Sequence, residues 1–283
     1  MNFDLIIQGE EVSTPDLKAL HALAGASGIA RINHVSHQAF RLPDAHTSAR
    51  DQVAAHCENV MLDFAFVASG RKFTDMGLVA MDMDSTLITI ECIDEIADFA
   101  GRKAEVAAVT ASAMRGEIDW PESLRRRVAA LEGLPAATLT QVFEDRLRLS
   151  PGATDLINAA KKNGLRLLLV SGGFTYFTER LKSQLGIDYA HSNTLEIIDG
   201  KLSGKGLGDL CDAGAKARHL RDTRAALGLA REQCIAVGDG ANDLLMLAEA
   251  GLSVAYHAKP VVQAQASVAL NHVGLAGILA LFA

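Results

Sequence analysis

Along most of the 283-residue chain, short apolar runs alternate with segments whose apolar residues recur every three or four positions. The first pattern reads as strand, the second as amphipathic helix. Residues 3–8 read as a strand and 15–24 as a helix, with Gly25 as its stop. Strand-like runs follow at 29–35 and 39–42, a helix at 47–58 and a strand at 61–68. The polar stretch 71–76 reads as a linker, and 78–81 has the length of a buried strand of a parallel sheet. From 89 to 149 the pattern is helical: Ile93, Ile96, Ala97 and Ala100 share one face up to Gly101, and helices fit 106–114, 121–131 and 138–147. The sheet pattern resumes after Ser150-Pro151-Gly152, with a helix at 153–163, a strand at 166–170 and a helix at 174–185. Runs at 194–198 and 201–203 flank Asp199-Gly200, a strong hairpin turn signal. A helix at 215–227, a strand at 234–237, a helix at 244–250 and a strand at 252–256 follow; a helix, a short strand and a last helix close the chain.

This order predicts an α/β protein in two parts. Residues 1–70 give βαββαβ, the ferredoxin-like arrangement. Residues 77–283 give strands alternating with helices, the signature of a doubly wound, Rossmann-type parallel sheet, with a helical cap inserted at about 89–149. In element order the first part resembles the small amino-acid-sensing regulatory domains called ACT domains. Gly9 falls near their ligand-loop glycine, but Gln8-Gly9-Glu10-Glu11 does not otherwise match. A structural or dimerising module, with a homodimer formed through it, is therefore the expectation for this region.

Composition narrows the partners. The net charge of −7 argues against nucleic acid or an anionic membrane as main partner, while leaving room for a small anionic substrate. Cys57, Cys92, Cys211 and Cys234 show no metal-finger or CxxC spacing and read as reduced, buried thiols of a cytoplasmic protein. The start, Met1-Asn2-Phe3-Asp4, lacks the basic and long apolar regions of a signal peptide. The uncharged stretch 269–283 is too short and broken to span a bilayer. His34 and His37 lie three apart, on opposite faces of a strand, and read as surface histidines rather than a metal site. The glycine-rich run 204–208 follows a hairpin instead of opening a helix, so it reads as a flexible loop.

The chemistry gathers at three strand ends. Asp82 and Asp84 end the first, with Ser85 or Thr86 placed to cap a following helix. Ser171-Gly172-Gly173 end the second, and Gly238-Asp239-Gly240-Ala241-Asn242-Asp243 the third. In a parallel sheet these ends share one edge, and Lys216 on the preceding helix can reach it. Four acidic residues there would repel unless a hard dication neutralises them, and Mg²⁺ is the usual choice beside phosphate. Ser171 and the Gly172 N–H suit a phosphoryl oxygen, and Lys216 adds a positive charge for the same group. An aspartate can attack phosphorus, and a second carboxylate two residues on can protonate the leaving oxygen and later activate water.

Asp82-Met83-Asp84-Ser85-Thr86, Ser171-Gly172, Lys216 and Gly238-Asp239-Gly240-Ala241-Asn242-Asp243 resemble, in residues and in order, the four motifs of the haloacid dehalogenase superfamily of phosphatases. The stretches 91–96, 123–128, 171–174 and 256–260 are similar to those of its phosphoserine phosphatase branch. The resemblance covers residue 77 to the end. It implies Asp82 as nucleophile and Mg²⁺ ligand, and Asp84 as acid and base that also gives its backbone carbonyl to the metal. It implies Asp239 as third ligand, and Asp243 as the group holding Lys216 or metal-bound water. Ser171, Gly172 and Lys216 would hold the phosphoryl group, assisted by Asn242. Glu91 would meet a substrate ammonium and Arg127 a carboxylate, the pair a zwitterionic amino acid requires. Successive helical residues point about a hundred degrees apart, so at most two of Arg125, Arg126 and Arg127 can face the site; the family pattern selects Arg127. Trp120 and Met114 read as cap core or pocket wall. The implied reaction is Mg²⁺-dependent hydrolysis of O-phospho-L-serine through an aspartyl-phosphate, the last step of serine biosynthesis. The alternatives are a related phosphatase or phosphotransferase acting on phosphothreonine or a homoserine acceptor, or a non-catalytic amino-acid sensor.

Overall fold

The computed structural model describes residues 2–283 except His34, and all of Met114 but its side chain. The N-terminal part contains β1 (Phe3–Gly9), α1 (Thr14–Ala24), β2 (Ala30–Ile32), β3 (Gln38–Leu42), α2 (Arg50–Asn59) and β4 (Asp63–Ala68). Local chemistry sets the bounds of α1. Ser13 Oγ accepts from the Asp16 N–H at 3.2 Å, Pro15 occupies the first turn, and Gly25 ends the helix at φ 59°. The strands form an antiparallel sheet in the order β2-β3-β1-β4, as the ferredoxin-like reading requires. His37, expected at the surface, is half-buried with Nε2 2.9 Å from Gln8 Oε1; its expected companion His34 lies outside the described residues.

The unbroken run Leu5-Ile6-Ile7 in β1 belongs to a strand buried on both faces. Leu5 and Ile7 pack with Leu17, Leu20, Val53 and Cys57 of α1 and α2. Ile6, Ala39 and Ala65 point the other way and join the core of the larger unit. The stretch expected as a linker is a docked 3₁₀ turn, Phe73–Asp75, with the Phe73 ring edge-on to Phe282 at 5.2 Å. The Asp63 carboxylate accepts the N–H groups of Asn271, His272 and Val273 at 2.7, 2.9 and 3.0 Å, fastening the start of β4 to the larger unit.

That unit opens with β5 (Leu78–Met81), followed by the cap helices α3 (Cys92–Phe99), α4 (Lys103–Met114), α5 (Trp120–Ala129) and α6 (Ala137–Gln141). It continues through α7 (Ala153–Lys162), β6 (Arg166–Phe174), α8 (Thr175–Leu185), β7 (Tyr189–Ile198), β8 (Lys201–Leu207) and α9 (Ala213–Ala226). Then come β9 (Cys234–Gly238), α10 (Leu244–Ala248), β10 (Leu252–Tyr256), α11 (Pro260–Gln263) and β11 (Val268–Leu270). The sheet order is β11-β10-β9-β5-β6-β7-β8, parallel except for β8. Met81 sits level with Leu169 on one side and Val237 on the other, so the carboxyl ends of β5, β6 and β9 form one edge.

Three local expectations change. The 204–208 run is not a loop through its length, because β8 pairs with β7 as far as Leu207. Its glycines suit an edge strand whose backbone lies close to the cap, where a Cβ on Gly204 would come within 2.9 Å of Glu132 Cβ. The strand expected to end at Val170 runs on to Phe174, with a register irregularity across Ser171-Gly172-Gly173. The last element is a 3₁₀ helix, Leu275–Leu281, fully buried between the two parts.

Candidate active site

Directly after β5 the chain makes a wide turn, with Leu87 N–H donating to Asp82 O and Ile88 N–H to Met83 O. Ser85 inside it lies at φ 54°, a left-handed conformation costly for a residue with a Cβ. The hydroxyls expected to cap a helix do other work. Ser85 Oγ donates to Glu91 Oε1 at 2.7 Å, and Thr86 Oγ1 donates to Asp239 Oδ1 at 3.0 Å. The strained turn thus ties the first strand end to the cap and to the third strand end.

Asp82 is buried at the tip of β5. Its Oδ1 accepts from the Met83 N–H at 2.7 Å, and its Oδ2 lies 2.7 Å from Lys216 Nζ. Lys216 comes from α9 and is fully buried; it also reaches Asp243 Oδ1 at 2.8 Å. Asp243 Oδ2 accepts from the Gly240 N–H at 3.0 Å, so the loop after β9 is folded around this carboxylate. Asp84 Oδ1 accepts from the Cys92 N–H at 3.1 Å. Gly173 passes so close to Asp84 that a Cβ there would stand 2.7 Å from Oδ2 and 3.0 Å from Ser171 Oγ. Ser171 is fully buried, its Oγ accepting from the Gly173 N–H at 2.8 Å. Asn193 on β7 holds the Gly172 carbonyl at 2.7 Å.

A cavity of about 330 Å³ opens above this floor. Asp82, Asp84, Gly172, Asp239 and Asn242 line it from the sheet edge, and Glu91 and Arg127 from the cap. Of the three consecutive arginines, Arg125 and Arg126 are exposed and pair with Glu122; only Arg127 turns to the cavity. Trp120 forms part of the wall, whereas the Met114 side chain lies outside the described residues. Asp94, Gly173 and Lys259 also line the cavity; each lies in one of the family-like stretches (91–96, 171–174 and 256–260), but the resemblance implies no role of its own for any of them.

The electrostatics are those of crowded carboxylates. Burial, then Asp243, pushes the Asp82 pKa well above its usual value, against the pull of Lys216. Burial and Glu91 raise Asp84 to about 7, and burial and Asp243 raise Asp239 to about 6. Burial also pushes Glu91 up. Burial alone would depress Lys216; Asp82 and Asp243 more than offset it, and the ammonium is held firmly. Asp82, Asp239 and Asp243 each bring one oxygen within 4.8 Å of the others. Three oxygen donors so close, two of them sharing Lys216, fit a hard dication.

Residues 79–248 match the family model of haloacid dehalogenase-like hydrolases. The chain belongs to that family. A phosphoserine phosphatase from Polaromonas sp. is 58% identical over 215 residues, which is 74% of this chain and 91% of the relative. A crystal structure of a HAD family hydrolase from Salmonella enterica serovar Typhi superposes with TM-score 0.90 at 32% identity, covering 99% of this chain and 98% of the other. A probable phosphoserine phosphatase from Vibrio cholerae superposes with TM-score 0.84 at 38% identity, covering 99% and 86%. Residues 5–53 match a family model of unknown function.

Proposed function

We propose that this protein hydrolyses O-phospho-L-serine to L-serine and phosphate, with Asp82 as nucleophile. One observation carries the substrate class: Glu91 and Arg127, from two different cap helices, line the same cavity as Asp82 and Asp84. An anion and a guanidinium above a phosphoryl site suit an ammonium and a carboxylate on one small molecule. The likeness to phosphoserine phosphatases supports the same reading.

Asp82 attacks phosphorus, the ester P–O bond breaks, and Asp84 gives its proton to the departing serine oxygen. Water then attacks the aspartyl-phosphate, Asp84 takes its proton, and the P–O bond to Asp82 breaks to release phosphate. A carboxyl that titrates near about 7 is available in both forms at neutral pH, which suits both halves. Ser171, Lys216 and the Gly172 N–H hold the phosphoryl oxygens, with Asn242 at the rim. The carboxylates of Asp82 and Asp239 and the Asp84 carbonyl would hold Mg²⁺, and Asp243 would keep Lys216 in place. When bound, the ion supplies Lewis-acid neutralisation of phosphoryl charge. The cap shields these steps from bulk water. The four cysteines are free and buried, which supports the cytoplasm as the compartment; serine biosynthesis as the setting follows from the phosphoserine reading alone.

Phosphate release from phosphoserine, phosphothreonine, phosphoethanolamine and an aryl phosphate, each with Mg²⁺ and with chelator, tests the reading. Phosphoserine is expected to lead by kcat/KM, and only with Mg²⁺. Equal turnover of all four substrates would overturn the substrate assignment.

A further inference from the structure

Two charged groups in the cavity wall each carry an atom with no hydrogen-bond partner among the described residues. Arg127 Nε, on α5, and Asp94 Oδ1, on α3, are both buried and make no hydrogen bond. Both residues line the cavity that holds Asp82 and Asp84. Asp94 sits three residues after Glu91, the N-cap of α3, where an acidic side chain commonly reaches back to the cap N–H. Its Oδ1 is left without any donor, although that helix end would benefit. A buried carboxylate oxygen without a donor is costly and is retained where it has another use. Burial disfavours the charged Arg127, and of the carboxylates that offset this Asp94 acts most strongly, ahead of Glu91 and Asp84.

We propose that Asp94 is a positioning residue for Arg127. No salt bridge joins the two among the described residues, and both line the cavity; with substrate bound, the Asp94 carboxylate takes the Nε side of the guanidinium and steers the two Nη groups toward the substrate carboxylate. The inference rests on the phosphoserine reading above and adds a residue to its specificity. A guanidinium has a planar fork, so fixing one edge fixes the direction of the other. Glu91 has one oxygen engaged by Ser85 and is left to receive the ammonium. The cap then reads both ends of the amino acid with separate groups: Glu91 the amine, and Arg127 oriented by Asp94 the carboxylate.

The test compares O-phospho-L-serine with O-phosphoethanolamine, which keeps the phosphate and the ammonium and lacks the carboxylate. Asp94→Asn is expected to lower kcat/KM for phosphoserine about tenfold, the scale of one charge-assisted contact, chiefly through KM. Phosphoethanolamine should change less than about twofold. Asp94→Glu, which keeps the charge, should restore part of the preference, and it serves as the second variant if Asp94→Asn folds poorly. In an Arg127→Ala background, Asp94→Asn should have no further effect on the ratio, since the two residues act as one unit. Equal losses on both substrates would make Asp94 an ammonium acceptor or a structural acid and would overturn the proposal. Multiplicative effects of the two substitutions would do the same. If the parent protein itself does not prefer phosphoserine, the substrate reading falls and this inference with it. If the parent discriminates and Asp94→Asn leaves its ratio intact, only the role of Asp94 is lost.

Discussion

Replacing Lys216 by Met removes the one positive charge buried between Asp82 and Asp243. The ammonium stands 2.7 Å from one carboxylate and 2.8 Å from the other, and neither Lys216 nor Asp243 has any exposed surface. At an effective dielectric of about 20, each contact is worth roughly 6 kcal/mol of gross attraction, most of which offsets the desolvation of three charges. Without the lysine, two carboxylates whose oxygens lie within 4.8 Å of each other face one another alone. Their repulsion on the same scale is at least about 3 kcal/mol, in line with the roughly 3–5 kcal/mol measured when one partner of a buried ion pair is removed. The folded variant relieves the repulsion by taking up a proton, and Asp82, whose pKa burial and Asp243 already raise, is the group placed to do so. A group that binds a proton more tightly folded than unfolded loses stability as pH rises, so the penalty should be larger at pH 8 than at pH 5.5. Urea unfolding followed by circular dichroism, with parent and variant both in chelator, measures the difference. A loss below about 1 kcal/mol at pH 8, or the same loss at both pH values, would refute the picture of a lysine that balances two ionised acids.

Asp82→Asn keeps the shape of the site but removes the proposed nucleophile; turnover and acid-stable label from ³²P-phosphoserine should both vanish, and retained activity would move the nucleophile elsewhere. Gly173→Ala places a methyl 2.7 Å from Asp84 Oδ2, so kcat should fall about a hundredfold with little change in melting temperature, because a shift of about 1 Å in a reacting group costs that much. Cys57 gives a pH signature: burial pushes its thiol from 9.0 to about 12. The unfolded thiol ionises first, so its contribution is intact below about pH 9 and is lost as pH rises toward 12. Between pH 8 and 10 the parent should lose about 1.4 kcal/mol more than Cys57→Ala, read from urea midpoints; parallel pH curves would show that the thiol is not shielded.

The candidate site was legible because it is built from strand ends. Asp82, Ser171 and Asp239 each follow a short apolar run, and a parallel sheet has only one edge on which such ends can meet. The hydroxyls were visible but their work was not. Ser85 and Thr86 fit a helix cap by type and position, and only the wide turn directs them to Glu91 and Asp239. Asp94 falls inside the family-like stretch 91–96 but takes no role from the sequence, because an acid in a helix first turn is ordinary and nothing local distinguishes one that caps from one that does not. The same holds for the 71–76 stretch, polar by composition yet docked on Phe282 from the far end of the chain.

The sequence by itself determined the order of elements, the parallel sheet, the inserted helical cap, the acidic residues at two strand ends and the serine–glycine run at a third. These follow from periodicity, turn residues and the alternation of strand and helix, all local properties. The tertiary structure decided which of three adjacent arginines turns inward, and that Lys216 is shared by two carboxylates. It also decided that the N-terminal sheet buries its second face against the rest of the protein. Each of these depends on packing between residues far apart in the chain, where side-chain direction and desolvation are set by neighbours that no local pattern contains.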